Sequence, residues 1–243
     1  HKQHEKKGKH NVRRTHTTPR PKRTHNWSSV STCEPSARLH PQHQPKVTVH
    51  IPQPLRVRMR EPAHPRWWPY FHTEMMPFPP RFLHKEYMDV NILGTIPYLI
   101  DGEVEMTESV AMCQYLVEKY GPTDLRVNSD EADYHHYLNW LAHSDATLTF
   151  PQTVVLRYTL QEIGVADKAA EGYRRWFVAR LKLLEQTLES REYLCSNRFT
   201  IAEICVSYAI YLAKSLQIEE AFKPNIKRWT DMLFERDGFK RAV

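Results

Sequence analysis

Hydrophobic residues fall into regular patterns only from about residue 46 onward. Lys46-Val47-Thr48-Val49-His50-Ile51 alternates β-branched and polar positions and predicts a short strand. Residues 70–75 predict a second strand, broken by the prolines of 77–80. Residues 82–90 read as a short helix or irregular connection. Residues 97–100 and 103–106 predict a hairpin around Asp101-Gly102, a type I′ turn signal. Residues 108–120 then predict a helix carrying Val110, Cys113, Leu116, Val117 and Tyr120 on one face and stopped by Gly121-Pro122.

After a polar link over 123–128 the pattern is helical to the end. Residues 130–147 carry Tyr134, Tyr137, Leu138, Trp140 and Leu141, and a break is expected at Phe150-Pro151 before a helix over 154–161. Residues 166–189 set Trp176, Phe177, Leu181, Leu184 and Leu188 in register. Helices over 200–216 and 225–235 complete the set, the first opened by the capping box Thr200-Ile201-Ala202-Glu203. The order predicts an α/β unit followed by an all-helical one, with no internal repeat.

Composition sets the beginning of the chain apart. Residues 1–45 show almost no apolar periodicity and are expected to be a disordered basic extension. Residues 1–70 hold 15 Lys and Arg against 3 acidic residues, whereas the rest holds 19 basic and 25 acidic, so the net +6 belongs to the leading segment. Trp27 alone is placed among those charges to stack a base, which makes a nucleic-acid arm the weaker reading. Cys33, Cys113, Cys195 and Cys205 show neither a metal-ligand spacing nor Cys-x-x-Cys. Cys113 and Cys205 lie on apolar helix faces and read as small buried hydrophobes in a reducing compartment. His135, His136, His143, Asp145 and Glu171 do not form a metal set, because adjacent histidines on a helix point about 100° apart. No run approaches the roughly 18 apolar residues of a membrane span, and no apolar signal region follows the N-terminus, so a soluble cytoplasmic chain is expected.

The candidate chemistry lies between Asn91 and Gly121. Pro97 sits at the entry to a strand, where it suits a tight turn whose peptide bond is a candidate for cis, and where the backbone of Ile96 is left free on one side. Glu108 and Ser109 open a helix, bringing a carboxylate and helix N-terminal N–H groups to one point. Such parts suit a small zwitterion or peptide.

The stretch Asn91-Ile92-Leu93-Gly94-Thr95-Ile96-Pro97, with Asp101-Gly102 and Glu108-Ser109, resembles the thioredoxin-like half of the soluble glutathione transferases, closest to bacterial-type members. Ile92 stands where that family usually has proline and Ile96 where it usually has valine. The resemblance runs from about residue 69 to the C-terminus. It implies a thioredoxin-like domain over 46–122, its first strand–helix unit (46–68) degenerate or missing, followed by an all-helical domain over 129–243. Glutathione is implied as co-substrate, held by Ile96, Pro97, Glu108 and Ser109, with no metal. Tyr134, Tyr137, Leu141, His143 and Ser144 are implied as contacts for a small hydrophobic electrophile. The family generally pairs as two-fold homodimers, with the flank of the first-domain helix against the partner's helical domain. It activates the thiol with a Ser, Tyr or Cys at the first strand–helix junction, and Ile51-Pro52-Gln53-Pro54-Leu55 offers none. No catalytic residue can therefore be named, and a non-catalytic interaction module of the same fold is the alternative to a glutathione transferase.

Overall fold

The computed structural model describes residues 47–52, 71–78 and 83–242. The expectations for 1–45 and for the proline-rich run over 53–68 lie outside the described residues. Four strands form one sheet in the order β2-β1-β3-β4. β1 (Val47–Pro52) runs parallel to β2 (Phe71–Met76), and β3 (Tyr98–Asp101) is antiparallel to β1. β4 (Val104–Met106) closes a hairpin with β3. A 3₁₀ turn, Lys85–Asp89, is the short element expected between β2 and β3.

The hairpin corrects the sequence reading by one residue. Asp101 pairs with Val104, so the turn residues are Gly102 and Glu103 rather than Asp101 and Gly102. Positive φ falls on Gly102 (65°) and not on Glu103, the pattern of a type II′ turn rather than I′. The cause is the Asp101 side chain, which is buried instead of solvated. Its Oδ2 accepts hydrogen bonds from Tyr115 Oη (2.9 Å), Lys119 Nζ (2.8 Å) and Tyr120 Oη (2.6 Å). All three donors stand on or just beyond helix α1 (Ser109–Lys119). One carboxylate thus ties the end of β3 to the last turn of α1.

α1 is apolar on two sides rather than one. Met112, Tyr115, Leu116 and Tyr120 pack with Leu99 and Met106 of the sheet. Val110, Cys113 and Val117 join the core of the helical half. The single stripe expected from the sequence merges these faces, because a sandwiched helix has no continuous polar side.

The helical half contains α2 (Tyr134–Ala142), α3 (Phe150–Leu156), α4 (Asp167–Ser190), α5 (Ile201–Ser215), α6 (Pro224–Phe234) and α7 (Asp237–Ala242). The expected break at Phe150-Pro151 is absent. Instead His143–Thr149 winds as a π-helix between α2 and α3, and a second π segment, Arg157–Gln161, follows α3. Pro151 falls at the second position of α3, directly after the π segment. In α4, Phe177, Leu181, Leu184 and Leu188 are buried as expected, but Trp176 is 51% exposed. The box opening α5 is complete: Thr200 Oγ1 accepts from Ala202 N at 3.2 Å, while Glu203 accepts from Thr200 N and Leu194 N, each at 2.7 Å. Among the described residues no helix is long and apolar enough to cross a membrane, and no group of His, Cys, Asp and Glu is arranged to hold a metal ion.

The link between the halves is fixed by charge. Arg198 donates to both carboxylate oxygens of Glu131 (2.7 and 2.8 Å) and to the carbonyls of Asp124 and Arg126. Asp133 accepts from Arg191 Nη1 (2.8 Å) and from Ser196 N (2.7 Å). The hydrogen bonds from Arg198 draw Glu131 down from 4.5 to about 2.

Burial alone would raise the Asp101 carboxyl, but the hydrogen bonds from Lys119, Tyr120 and Tyr115 outweigh it and hold the group below its usual range. A depressed carboxylate contributes stability above its unfolded value and loses it as pH falls through the folded one. Wild type should therefore lose urea resistance as pH drops from about 4.5 toward 2, the window of Glu131 that Asp101 shares from its ordinary 3.8 downward. Asp101→Ala should cost roughly 2–4 kcal/mol at neutral pH, less than a fully buried pair because Lys119 is partly solvated. Urea midpoints across pH check both, and the variant should show a shallower acid slope than wild type.

Candidate functional site

The segment leading into β3 is held from behind. Asn91, which is buried, donates through Nδ2 to the Thr95 carbonyl at 2.8 Å and to Thr95 Oγ1 at 3.2 Å, while its Oδ1 accepts from Leu93 N at 3.0 Å. Tyr87 Oη, on the 3₁₀ turn, donates to the same Thr95 carbonyl at 2.9 Å. Gly94 makes the bend at φ 56°, its N–H donating to Asn91 O at 2.7 Å. With the Thr95 carbonyl aimed at Asn91 and Tyr87, the planar peptide that follows turns the Ile96 N–H to the opposite side. The Ile96–Pro97 bond is cis. The β1–β3 ladder ends with His50 opposite Tyr98, one residue short of Pro97, which has no N–H to extend it.

The second element is the beginning of α1. Glu108 is the N-cap residue, with extended backbone angles (φ −100°, ψ 114°), and no side chain caps the helix. Its carbonyl accepts from Met112 N at 2.9 Å. The N–H groups of Ser109, Val110 and Ala111 precede the first intrahelical bond and so have no partner within the helix. The Glu108 and Ser109 side chains are exposed, and Glu108 Oε1 accepts only a 3.2 Å bond from its neighbour Thr107. The alternative in which Thr107 or Ser109 merely satisfies the first turn is thus not what these side chains do.

A third group reaches this point from the helical half. Asp145 stands on the π segment His143–Thr149. Partial desolvation raises its carboxyl, and the charge of Glu108 raises it further, so the two acidic groups feel each other's charge. Sequence reasoning weighed Asp145 only as a metal ligand. Its spacing gave no other signal, because its partner lies 37 residues away on another element.

The five residues singled out for an electrophile are not alike. Tyr137 and Leu141 are buried in the core of the helical half, and Ser144, also buried, donates to the Leu141 carbonyl at 2.7 Å. Tyr134 is partly buried against the same core, stacked near Tyr137 with ring centroids 6.3 Å apart. His143 is half-buried with its ring edge-on to Trp140, and burial together with Arg180 pulls its pKa down, favouring the neutral ring. Tyr134 and His143 are thus the two of the five with surface to offer.

Comparison with known proteins adds an independent line. The glutathione S-transferase N-terminal domain matches residues 68–124, and the C-terminal domain of the same family matches residues 157–237. The chain is similar to glutathione S-transferase 3 of Schizosaccharomyces pombe, 26% identical over 170 residues that cover 65% of this chain and 70% of that protein. It is similar to a probable maleylacetoacetate isomerase of Vibrio cholerae, 27% identical over 165 residues, covering 66% and 76%. Among solved structures, a glutathione transferase of Phanerochaete chrysosporium in complex with oxidized glutathione superposes with a TM-score of 0.66 at 26% identity, covering 82% of this chain and 94% of that one.

The brace behind Ile96 yields a prediction. Asn91→Ala removes three hydrogen bonds and leaves a buried carbonyl with one donor fewer, so it should destabilise the chain by about 1–3 kcal/mol. Urea denaturation measures the loss, and Asn91→Asp, which keeps the acceptor for Leu93 N but not the donor, should fall between.

Proposed function

This chain belongs to the glutathione S-transferase family, and we propose that it is a cytosolic glutathione transferase joining the thiol of glutathione to small hydrophobic electrophiles. The observation that carries this reading is the exposed Glu108-Ser109 pair at the start of α1, where the N-cap side chain makes no capping bond, in the same domain as the cis Ile96–Pro97 bond. The γ-glutamyl end of glutathione carries an ammonium and a carboxylate. Glu108 suits the ammonium, with the charge of Asp145 adding to it; the Ser109 hydroxyl and the free N–H groups of α1 suit the carboxylate. The outward N–H of Ile96, beyond the end of the β1–β3 ladder, suits the backbone of the cysteinyl residue, which would pair there like a short strand. The electrophile would lie along residues 134–144, with the partly buried Tyr134 and His143 as its contacts.

The thiol-activating residue has no assignment. A hydroxyl or thiol donating to sulfur favours the thiolate and so lowers its pKa. The residues after β1, from 53 to 70, lie outside the described residues, and the junction Ile51-Pro52-Gln53-Pro54-Leu55, where such a group is expected, includes no Ser, Tyr or Cys. That gap favours a second reading, a glutathione-binding module without turnover. Calorimetry with reduced glutathione, paired with a thiol-consumption assay on an aryl halide, separates the two. Binding with consumption supports the transferase, binding without it supports the module, and no binding sinks both. Glu108→Gln should weaken glutathione binding by about 1.5–3 kcal/mol, the range for a hydrogen bond to a charged group, while leaving the urea midpoint nearly unchanged.

The family's two-fold pairing is also proposed for this chain. Phe150 (56% exposed), Tyr173 and Trp176 form an aromatic row across α3 and α4, with ring centroids 6.2 and 5.9 Å apart, and the Arg180 guanidinium lies over Trp176 at 4.8 Å. Large exposed aromatic surface of this kind is unusual on a monomer and typical of the centre of an interface. Trp176→Glu should shift the sedimentation coefficient from dimer to monomer; an unchanged value would remove this surface from the interface.

A further inference from the structure

A cavity of about 890 Å³ lies between α5 and the end of the helical half. Small-molecule sites usually enclose roughly 300–1,000 Å³. Its α5 side is one helix face, with Ile204, Tyr208 and Tyr211 at i, i+4 and i+7. Its other side is the end of α6 and the short helix α7, which contribute Arg236, Phe239 and Arg241, and Phe199 lines it as well. None of its lining residues belongs to 96–109 or 134–144, the stretches given above to glutathione and the electrophile.

The α7 wall is fixed by aromatic packing. The Phe239 ring stacks on Phe234 with centroids 4.1 Å apart and stands edge-on to Tyr211 at 5.6 Å. Tyr208 is different. It is 47% exposed, and its hydroxyl has no hydrogen-bond partner among the described residues. With the neighbouring Ile204, also exposed, it offers an apolar wall with nothing packed on it.

The charges point the same way. The Arg236 guanidinium lies over the Phe199 ring at 3.8 Å, which fixes its plane and leaves its in-plane N–H groups free to donate. Neither Arg236 nor Arg241 is in an ion pair among the described residues, whereas Lys240 between them is paired with Glu235. Asp237 is the one carboxylate in the lining, against these two guanidinium groups.

We propose that this groove binds a planar aromatic carboxylate of about the size of naphthoate, its ring against Tyr208 and Ile204 and its charge on Arg236 and Arg241. A neutral aromatic would leave the two arginines unused. An inorganic anion would leave the Tyr208–Ile204 wall exposed, and an aromatic cation would meet an excess of positive charge. The carboxylate also gives the Tyr208 hydroxyl an acceptor, and a planar guanidinium matches it with two parallel N–H donors.

Calorimetry of the full chain with 2-naphthoate, and separately with the neutral 2-naphthamide, tests the site. One naphthoate should bind per chain, and the amide should bind at least about tenfold more weakly, as expected when a hydrogen bond to a charged group is lost. Arg236→Gln should bring naphthoate down to the affinity of the amide and leave the amide unchanged, and Arg241→Gln should act in the same direction. Tyr208→Ala should weaken both ligands. All three side chains are exposed, so urea midpoints should stay near wild type. Equal affinity for the two probes, or naphthoate binding untouched by both arginine variants, would overturn the proposal. So would loss of the naphthoate signal under saturating S-hexylglutathione, which would put the ligand in the electrophile site. Binding of reduced glutathione should be the same in all three variants. A failure to bind glutathione at all would count against the transferase reading and leave this groove standing.

Discussion

The buried carboxylate of Asp101 is the constraint on which the first half of the molecule turns. It stands at the end of β3 and collects two phenols and an ammonium from the far end of α1. A short hairpin and an eleven-residue helix have little reason to hold a fixed angle by themselves. Once the last turn of α1 is pinned to the strand, the position of the opposite end of the helix, with Glu108 and Ser109, is set relative to the sheet. Hydrophobic contact between Leu99 and Met112 adds burial but no direction. The polar contacts supply the direction, since each hydroxyl and the ammonium must reach one oxygen.

Much of this was legible in the sequence, and the remainder was hidden for identifiable reasons. Alternation located β1 and β2 to within a residue, and 3.6-residue spacing located α1, α4, α5 and α6. The Thr200–Glu203 box was readable because a capping interaction is local. The turn was misplaced because Asp-Gly is a turn signal only while the Asp side chain stays in water. Nothing local announces that Tyr115, Lys119 and Tyr120 will claim it. The π segments were equally silent, since their apolar residues keep nearly helical spacing while the backbone shifts register. Asn91 and Tyr87 meet at Thr95 only after the chain has folded. Residue type marked Ile96–Pro97 and Glu108-Ser109 as unusual, but what supports them was not written nearby.

The two faces of α1 connect these observations. One face belongs to the sheet and the other to the helical half, so among the described residues the helix that presents Glu108 and Ser109 also joins an α/β layer to an all-helical one. A polar recognition point can be held in place this way without being buried. The apolar sides absorb the packing, and the helix start remains exposed.

The segment joining the layers has a consequence of its own. Arg198 grips Glu131 and two backbone carbonyls of this segment, and Asp133 reaches the turn at Ser196. A tether held in so many places cannot swing open as a hinge. Exchange of the α/β layer between two copies, the usual accident of chains built from two stacked units, would have to tear out this whole polar knot before any strand could cross over. Association between copies is left to outward-facing surfaces, and each copy keeps its own halves.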